Sequence, residues 1–197
     1  MDDRLAFIAE KYGLDLGKGP RVDIPNLDRA GLAKLFAELG FIYGAEIGVE
    51  KGANATLLCQ NIPNLKLLCV DLWKLYRGGG RQQVSRIQQR NLANLSQALS
   101  PYDVTIIEKL SMDAVHDVPL GSLDFVYIDA NHRFDFVMQD IIEWSKRVKP
   151  GGIVSGHDYC QATPGVMIAV DAYIKAHNIA NYFVTSSEAW PSYFWVK

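Results

Sequence analysis

Residues 44–56 read GAEIGVEKGANAT and place glycines at Gly44, Gly48 and Gly52, an even spacing of four. That spacing would suit one face of a helix. Glycine, however, costs a helix about 1 kcal/mol relative to alanine, and three within nine residues argue against one. The stretch reads instead as a strand, a tight loop and a helix start. AEIGV is a short apolar run, and residues 53–62 carry a helical pattern that ends before Pro63. A loop with this much main-chain freedom raises the question of what it holds.

The same alternation runs through the 197 residues. Residues 1–12 and 27–39 are predicted helices, the second apolar at Leu27, Leu32, Leu35, Phe36 and Leu39 and stopped by Gly40. KLLCVDLW, VTIIEKL, LDFVYIDA and GIVSGHDY read as buried strands. RQQVSRIQQRNLANLSQAL (81–99), FDFVMQDIIEWSKRV (134–148, stopped by Pro150) and residues 165–178 read as helices. The closing NYFVTS and SYFWVK are short strands with a tight connection, which favours antiparallel pairing. Strands apolar on both faces, set between helices, predict a parallel sheet covered on each side. The expected fold is α/β: a doubly wound, seven-stranded, mostly parallel sheet with an antiparallel last strand. No repeat, low-complexity tract or linker interrupts the chain, so one domain is expected over 1–197, with an N-terminal helical segment at 1–40 and an α/β core at 41–197.

Composition excludes several classes. An apolar content of 49% and a charged content of 21% are those of an ordinary soluble protein. No apolar run approaches the ~20 residues that span a bilayer, and the start, MDDRLAFIAEKYG, does not read as a secretory signal. A net charge of −2 gives no field for gathering nucleic acid. The densest basic stretch, RGGGRQQVSRIQQR with Arg77, Arg81, Arg86 and Arg90, reads as a solvated helix face rather than an anion-binding surface. Cys59, Cys69 and Cys160 form no C-x-x-C pair, and the first two sit in apolar surroundings. A reduced, cytoplasmic setting is expected, and the N-terminal helices offer a surface for a homo-oligomer.

In sheets of this kind ligands sit outside the carboxyl ends of the strands, where the strand order reverses. Gly48 lets the backbone approach a ligand and Gly52 admits the chain into the next helix. The N–H groups of that helix start favour a carboxylate or a phosphate. A dinucleotide loop requires G-x-G-x-x-G. Here the pattern is Glu46-x-Gly48-x-x-x-Gly52, and Glu50 stands where a second close glycine belongs and would repel a pyrophosphate. An NAD-linked oxidoreductase is therefore the weaker alternative. No G-K-[ST] follows, and GIVSGHDY supplies no G-x-S-x-G elbow. Asp71 ends the second core strand ~20 residues on, where an acid can accept both ribose hydroxyls; the other reading has it capping the next helix. Leu72 and Trp73 follow it as an apolar surface for a base, although Trp73 reads equally well as core.

Glu46-x-Gly48-x-x-x-Gly52 with Asp71 resembles the first motif of class I S-adenosylmethionine-dependent methyltransferases. In LSMDA, Ser111 and Met112 stand where that family contacts the adenine ring and its amino group. GSLDFVYIDANHRFDFVMQDIIEWSKRVKPGGIVSGHDY is similar to the small bacterial and phage subgroup related to macrocin O-methyltransferases, with an acid ending the fourth strand, a nearby histidine and an H-D-Y-like end to the fifth. The likeness runs from Gly31 to Lys197. It implies a Rossmann-like methyltransferase fold and an S-adenosylmethionine cofactor held by Glu46, Gly48, Gly52, Asp71, Leu72, Ser111, Met112 and Asp129. It further implies methyl transfer to a hydroxyl of a small molecule, a sugar or secondary metabolite. A non-catalytic protein that binds the same cofactor is the alternative.

Asp129 ends the fourth strand with His132 three residues later, and His157 and Asp158 end the fifth. Neighbouring strands lie ~5 Å apart, so two carboxylates and two imidazoles converge. Carboxylates this close repel unless a cation or a shared proton relieves them, and the donor set suits Mg²⁺, Mn²⁺ or Ca²⁺. In the catechol-type and macrocin-type enzymes, acids at these strand ends bind a divalent metal. Asp129 and Asp158 match those positions, while Tyr159 replaces an Asn ligand of the catechol type. The other reading has Asp129 accepting from the cofactor's amino group and Asp158 capping the following turn. His132 and His157 are candidate general bases. Trp73, Tyr76, Tyr159 and Trp190 are expected to wall the acceptor pocket.

Overall fold

The computed structural model describes residues 3–77, 81–83 and 86–197, with the backbone alone at 75–77 and 81–83. Helix α1 (Asp3–Tyr12) leads through a 3₁₀ turn (Leu16–Lys18) to strand β1 (Arg21–Ile24) and helix α2 (Arg29–Glu38). Asp28 caps α2 by accepting from Gly31 N at 2.7 Å. Then follow β2 (Tyr43–Ile47), α3 (Ala53–Asn61), β3 (Lys66–Asp71), a hairpin of β4 (Leu75–Arg77) and β5 (Arg81–Gln83), α4 (Arg86–Leu99) and β6 (Asp103–Glu108). The second half runs α5 (Ser111–Ala114), a 3₁₀ turn (Val115–Asp117), β7 (Leu123–Ile128), α6 (Phe134–Ser145), β8 (Val148–Gly156), α7 (Pro164–Ala176), β9 (Tyr182–Thr185) and β10 (Tyr193–Val196).

The main sheet has the order β1-β9-β10-β8-β7-β2-β3-β6. Every pairing is parallel except those of β10, which runs antiparallel to β8 and β9. The order reverses beside β2, whose neighbours are β3 and β7, so the crevice for a ligand opens over their carboxyl ends. All six residues of β7 are buried. Phe125 and Tyr127 join the core under α1 to α4, and Val126 and Ile128 the core under α5 to α7. This two-sided burial is why the strand reads as an unbroken apolar run. Its one acid, Asp124, accepts from Ile42 N and Tyr43 N at 2.7 and 2.8 Å and so ties the start of β2 to β7. Cys59 and Cys69 are buried and free.

The sheet has eight strands rather than seven. The extra one is β1, inside the segment expected to be helical. Its four residues RVDI alternate exposed and buried and pair with β9, a pattern too short to stand out without its partner. Three other boundaries differ. Residues 81–83 form a strand, so the predicted 81–99 helix starts at Arg86. The helix from Phe134 ends at Ser145, and β8 begins at Val148, passing through Pro150 at a register shift opposite Leu123 and Phe125. Proline is tolerated there because the ladder is already interrupted. LSMDA contains the short helix α5. Arg86 and Arg90 are solvent-exposed on α4, as expected of a solvated face, while the side chains of Tyr76, Arg77 and Arg81 lie outside the described residues. No helix among the described residues is long and apolar enough to cross a membrane.

Candidate active site

A cleft of about 830 Å³ opens over the ends of β2, β3, β6 and β7. Of the residues expected to hold a cofactor, Glu46, Gly48, Asp71, Leu72, Ser111, Met112 and Asp129 all line it. Gly52 lies behind the loop, at the start of α3, with φ +80°. Gly48 has φ +88°, and a Cβ there would stand 2.1 Å from Asp129 O. The loop is thus pressed against the chain leaving β7, and only glycine fits.

Asp71 organises this loop. Its Oδ2 accepts from Val49 N at 2.9 Å and Glu50 N at 2.8 Å, and its Oδ1 from Trp73 N at 3.0 Å. A carboxylate offers about four acceptor sites, so room remains for one ribose hydroxyl rather than both. Trp73 is 2% exposed and donates its indole N–H to Glu50 O at 2.9 Å. It is core beneath the loop, not a face for the base; Leu72 alone of that pair lines the cleft.

Glu46 is buried, and burial pushes its carboxyl well above the usual range despite the Asn54 amide. Oε1 accepts from Asn54 Nδ2 at 3.3 Å, and Oε2 has no partner. At the far side, the Ser111 hydroxyl donates to Asp140 Oδ1 and accepts from Trp144 Nε1 at 2.8 Å. Ser111 is therefore already engaged, and Asp140, also lining the cleft, is a site residue that sequence reasoning missed. Its signal was present: an acid within the buried stripe Val137, Ile141 and Trp144 of α6.

Burial raises Asp140 from 3.8 to about 6, with the Ser111 hydroxyl opposing. The folded state therefore binds more protons between those values, and Asp140 makes stability fall as pH rises from about 4 to about 6. Asp140→Asn is expected to flatten that fall, a difference of up to about 3 kcal/mol between the two proteins at neutral pH. Denaturant titrations of both across this range test it; parallel curves would contradict the assignment.

The acid and histidine cluster forms as expected. His132 Nε2 lies 2.9 Å from Asp158 Oδ2 and 3.5 Å from Asp129 Oδ1. His157 Nδ1 lies 2.9 Å from Asp158 Oδ1 and 3.7 Å from Asp129 Oδ2. Contacts with Asp129 and Asp158 hold His132 up at about 10, so at neutral pH it is an imidazolium and cannot serve as a base while so paired. Burial works to raise Asp158, but hydrogen bonds from both imidazoles win and hold it well below the usual range. Asp129 and His132 line the cleft, whereas His157 and Asp158 stand behind them, and His157 Nε2 is buried without a partner. One donor atom each from Asp129, His132 and Asp158 falls within 4.8 Å of the others.

Of the aromatic residues expected to wall an acceptor pocket, Tyr159 is buried, its hydroxyl donating to Asp171 Oδ1 at 2.6 Å. Trp190 is 46% exposed but does not line the cleft. Among the described residues, Phe136 of α6 supplies an aromatic wall to the cleft.

A doubly wound sheet with strand order 6-3-2-7-8 through its parallel core, an antiparallel β10 and a glycine loop over the switch point is the class I methyltransferase fold. Residues 45–159, more than half the chain, match the family model described as "Methyltransferase domain", and the chain belongs to that family. Among solved structures, the O-methyltransferase NovP superposes with a TM-score of 0.63 at 17% identity, over 86% of this chain and 79% of that one. An O-methyltransferase from Bacillus cereus, solved with SAH (S-adenosylhomocysteine), gives 0.64 at 12% identity, over 100% and 92%. An rRNA methylase from Streptococcus thermophilus gives 0.62 at 12%, over 87% and 98%. At these identities the likeness is one of fold. No curated protein sequence matches the chain.

Proposed function

We propose that the chain is an S-adenosylmethionine-dependent O-methyltransferase of the macrocin-related type, acting on a hydroxyl of a small molecule such as a sugar or secondary metabolite. The observation that carries this reading is the order of chemistry along the cleft. A buried, unpaired Glu46 oxygen lies over β2, apolar Leu72 and Met112 follow β3 and β6, and Asp129 with His132 close the other side. An amino-acid nucleoside needs an acceptor for its ammonium, a flat apolar slot for its base and an open flank at its sulfur. The bound cofactor supplies an electrophilic methyl group.

The chain's own work is alignment and proton control. Gly48 and the Asp71-clamped loop hold the ligand's long axis across the strand ends, which turns an encounter into a near-attack arrangement. Asp129, partly exposed in the cleft, is the group placed to take the acceptor's proton. His132, as an imidazolium, steadies the charge that forms there, and His157 orients Asp158 from behind. With His132 deprotonated, Asp129, His132 and Asp158 would also fit a divalent cation chemically, two carboxylates with one neutral imidazole. Such a cation would lower the pKa of an acceptor hydroxyl.

Calorimetry with S-adenosylhomocysteine is expected to give one-to-one binding, and a panel of saccharide and phenolic acceptors to yield O-methylated product. Stripping divalent ions is expected to lower turnover tenfold or more, of the order seen when a metal's supporting ligands are lost. Unchanged turnover after stripping removes the cation; binding without transfer to any acceptor favours the non-catalytic alternative.

A further inference from the structure

One end of the cleft carries polar groups that the described residues leave without a hydrogen-bond partner. Glu46, 2% exposed, keeps Oε2 without a partner. Arg29 lines the same cleft from the first residue of α2 and acts on Glu46 electrostatically. Among the described residues its ion pair is from Nε to Glu188 Oε1, at 3.7 Å, too long for a hydrogen bond. Neither terminal nitrogen of its guanidinium makes a hydrogen bond among the described residues. Glu188, in the connection between β9 and β10, keeps its own Oε2 buried and unpaired. The other cations lining the cleft are engaged: Lys51 with Glu50, Lys74 with Glu108 and Lys109 with Asp117.

Arg29 does not serve its own helix. A cation in the first turn faces the positive end of the macrodipole and opposes it. What it offers is a planar pair of N–H donors, the geometry that grips a carboxylate in a bidentate way. An unpaired carboxyl oxygen and a guanidinium with free N–H donors at one end of a cleft are complementary to the ammonium and carboxylate of a zwitterion. That end lies over β2, whereas Leu72 and Met112, the apolar slot, lie beyond it towards β3 and β6.

We propose that Arg29 binds the carboxylate of the cofactor's amino-acid moiety, and that Glu188 is a positioning residue that aims the guanidinium into the cleft. The proposal rests on the cofactor reading above and assigns its amino-acid end. The β9–β10 connection is also tied to the chain just before α2, where Ser187 Oγ donates to Leu27 O at 2.7 Å.

Calorimetry with S-adenosylhomocysteine and with its decarboxylated analogue, which keeps the amine, tests it. The parent is expected to prefer the carboxylate-bearing ligand about 10- to 100-fold, as for a charge-assisted bidentate contact. Arg29→Met should bind the two within about twofold of each other, with the analogue bound as by the parent. Glu188→Gln should reduce the preference and leave the analogue's affinity unchanged. A preference that survives in Arg29→Met, or an equal weakening of both ligands, overturns the assignment. Should Arg29→Met fail to fold, Arg29→Lys decides: a preference cut severalfold supports the contact, and an unchanged one rejects it. A parent that binds both ligands equally overturns the Arg29 assignment alone, whereas a parent that binds neither overturns the cofactor reading itself.

Discussion

Gly48→Ala is expected to cost more than 3 kcal/mol of stability and to remove cofactor binding altogether, placing it among the exceptional single substitutions. The added Cβ would lie 2.1 Å from Asp129 O, 2.5 Å from Asp129 C and 2.6 Å from Ala130 Cα. All three are main-chain atoms, so no side chain can swing aside. The residue must also hold φ +88°, which an L side chain adopts at a cost of roughly 1–2 kcal/mol. Relief requires β2 and the chain leaving β7 to part, and their carboxyl ends form the cleft. Gly52→Ala makes the useful contrast. There φ is +80° and the added Cβ meets Leu95 Cδ1 at 2.0 Å, a methyl group at the end of a side chain that can rotate. Denaturant unfolding of both variants should rank Gly48→Ala well below Gly52→Ala. Equal losses would mean that the loop does not lie against the Asp129 carbonyl.

Asp71→Ala is expected to lower affinity for S-adenosylhomocysteine by more than 100-fold, chiefly by releasing the loop rather than by losing a ribose contact. Three backbone N–H groups, of Val49, Glu50 and Trp73, would lose a charged acceptor. Hydrogen bonds to charged groups contribute about 1.5–3 kcal/mol each, and less than additively when they share one carboxylate. Asp71→Asn, with one carbonyl oxygen left, should fall between the parent and Asp71→Ala. Amide hydrogen exchange separates the two explanations. If the carboxylate clamps the loop, exchange at Val49, Glu50 and Trp73 should accelerate together in the ligand-free variant. An affinity loss with unchanged exchange would return Asp71 to the role of ribose ligand alone.

Asp71 and Asp140 show from opposite sides where reading a sequence stops. Asp71 was found because its place after an apolar run, a fixed distance beyond the glycine loop, is a local regularity. Its dominant partners are nonetheless two N–H groups more than 20 residues earlier in the chain, and only the parallel register of β2 on β3 brings them to its oxygens. Asp140 sat in plain view as an acid in an apolar helix stripe, but its meaning depends on Ser111 reaching it across 29 residues. Arg29 and Glu188, 159 residues apart, left no local trace at all.

His132 marks a different limit. Its position beside Asp129 was legible from the three-residue spacing. Its protonation was not, because that depends on Asp158 arriving from the neighbouring strand end at 2.9 Å. A histidine near its ordinary pKa is a base; the same ring between two carboxylates is a cation.

The sequence alone determined the alternation of strands and helices, the glycine loop and several of the cleft-lining residues, since hydrophobic period and glycine placement act over a turn or a few residues. Tertiary structure decided which strands lie side by side, that RVDI becomes an eighth, which aromatic residues sink into the core, and which charges remain unpaired. Pairing and desolvation are properties of groups brought together from distant parts of the chain, and no local pattern carries them.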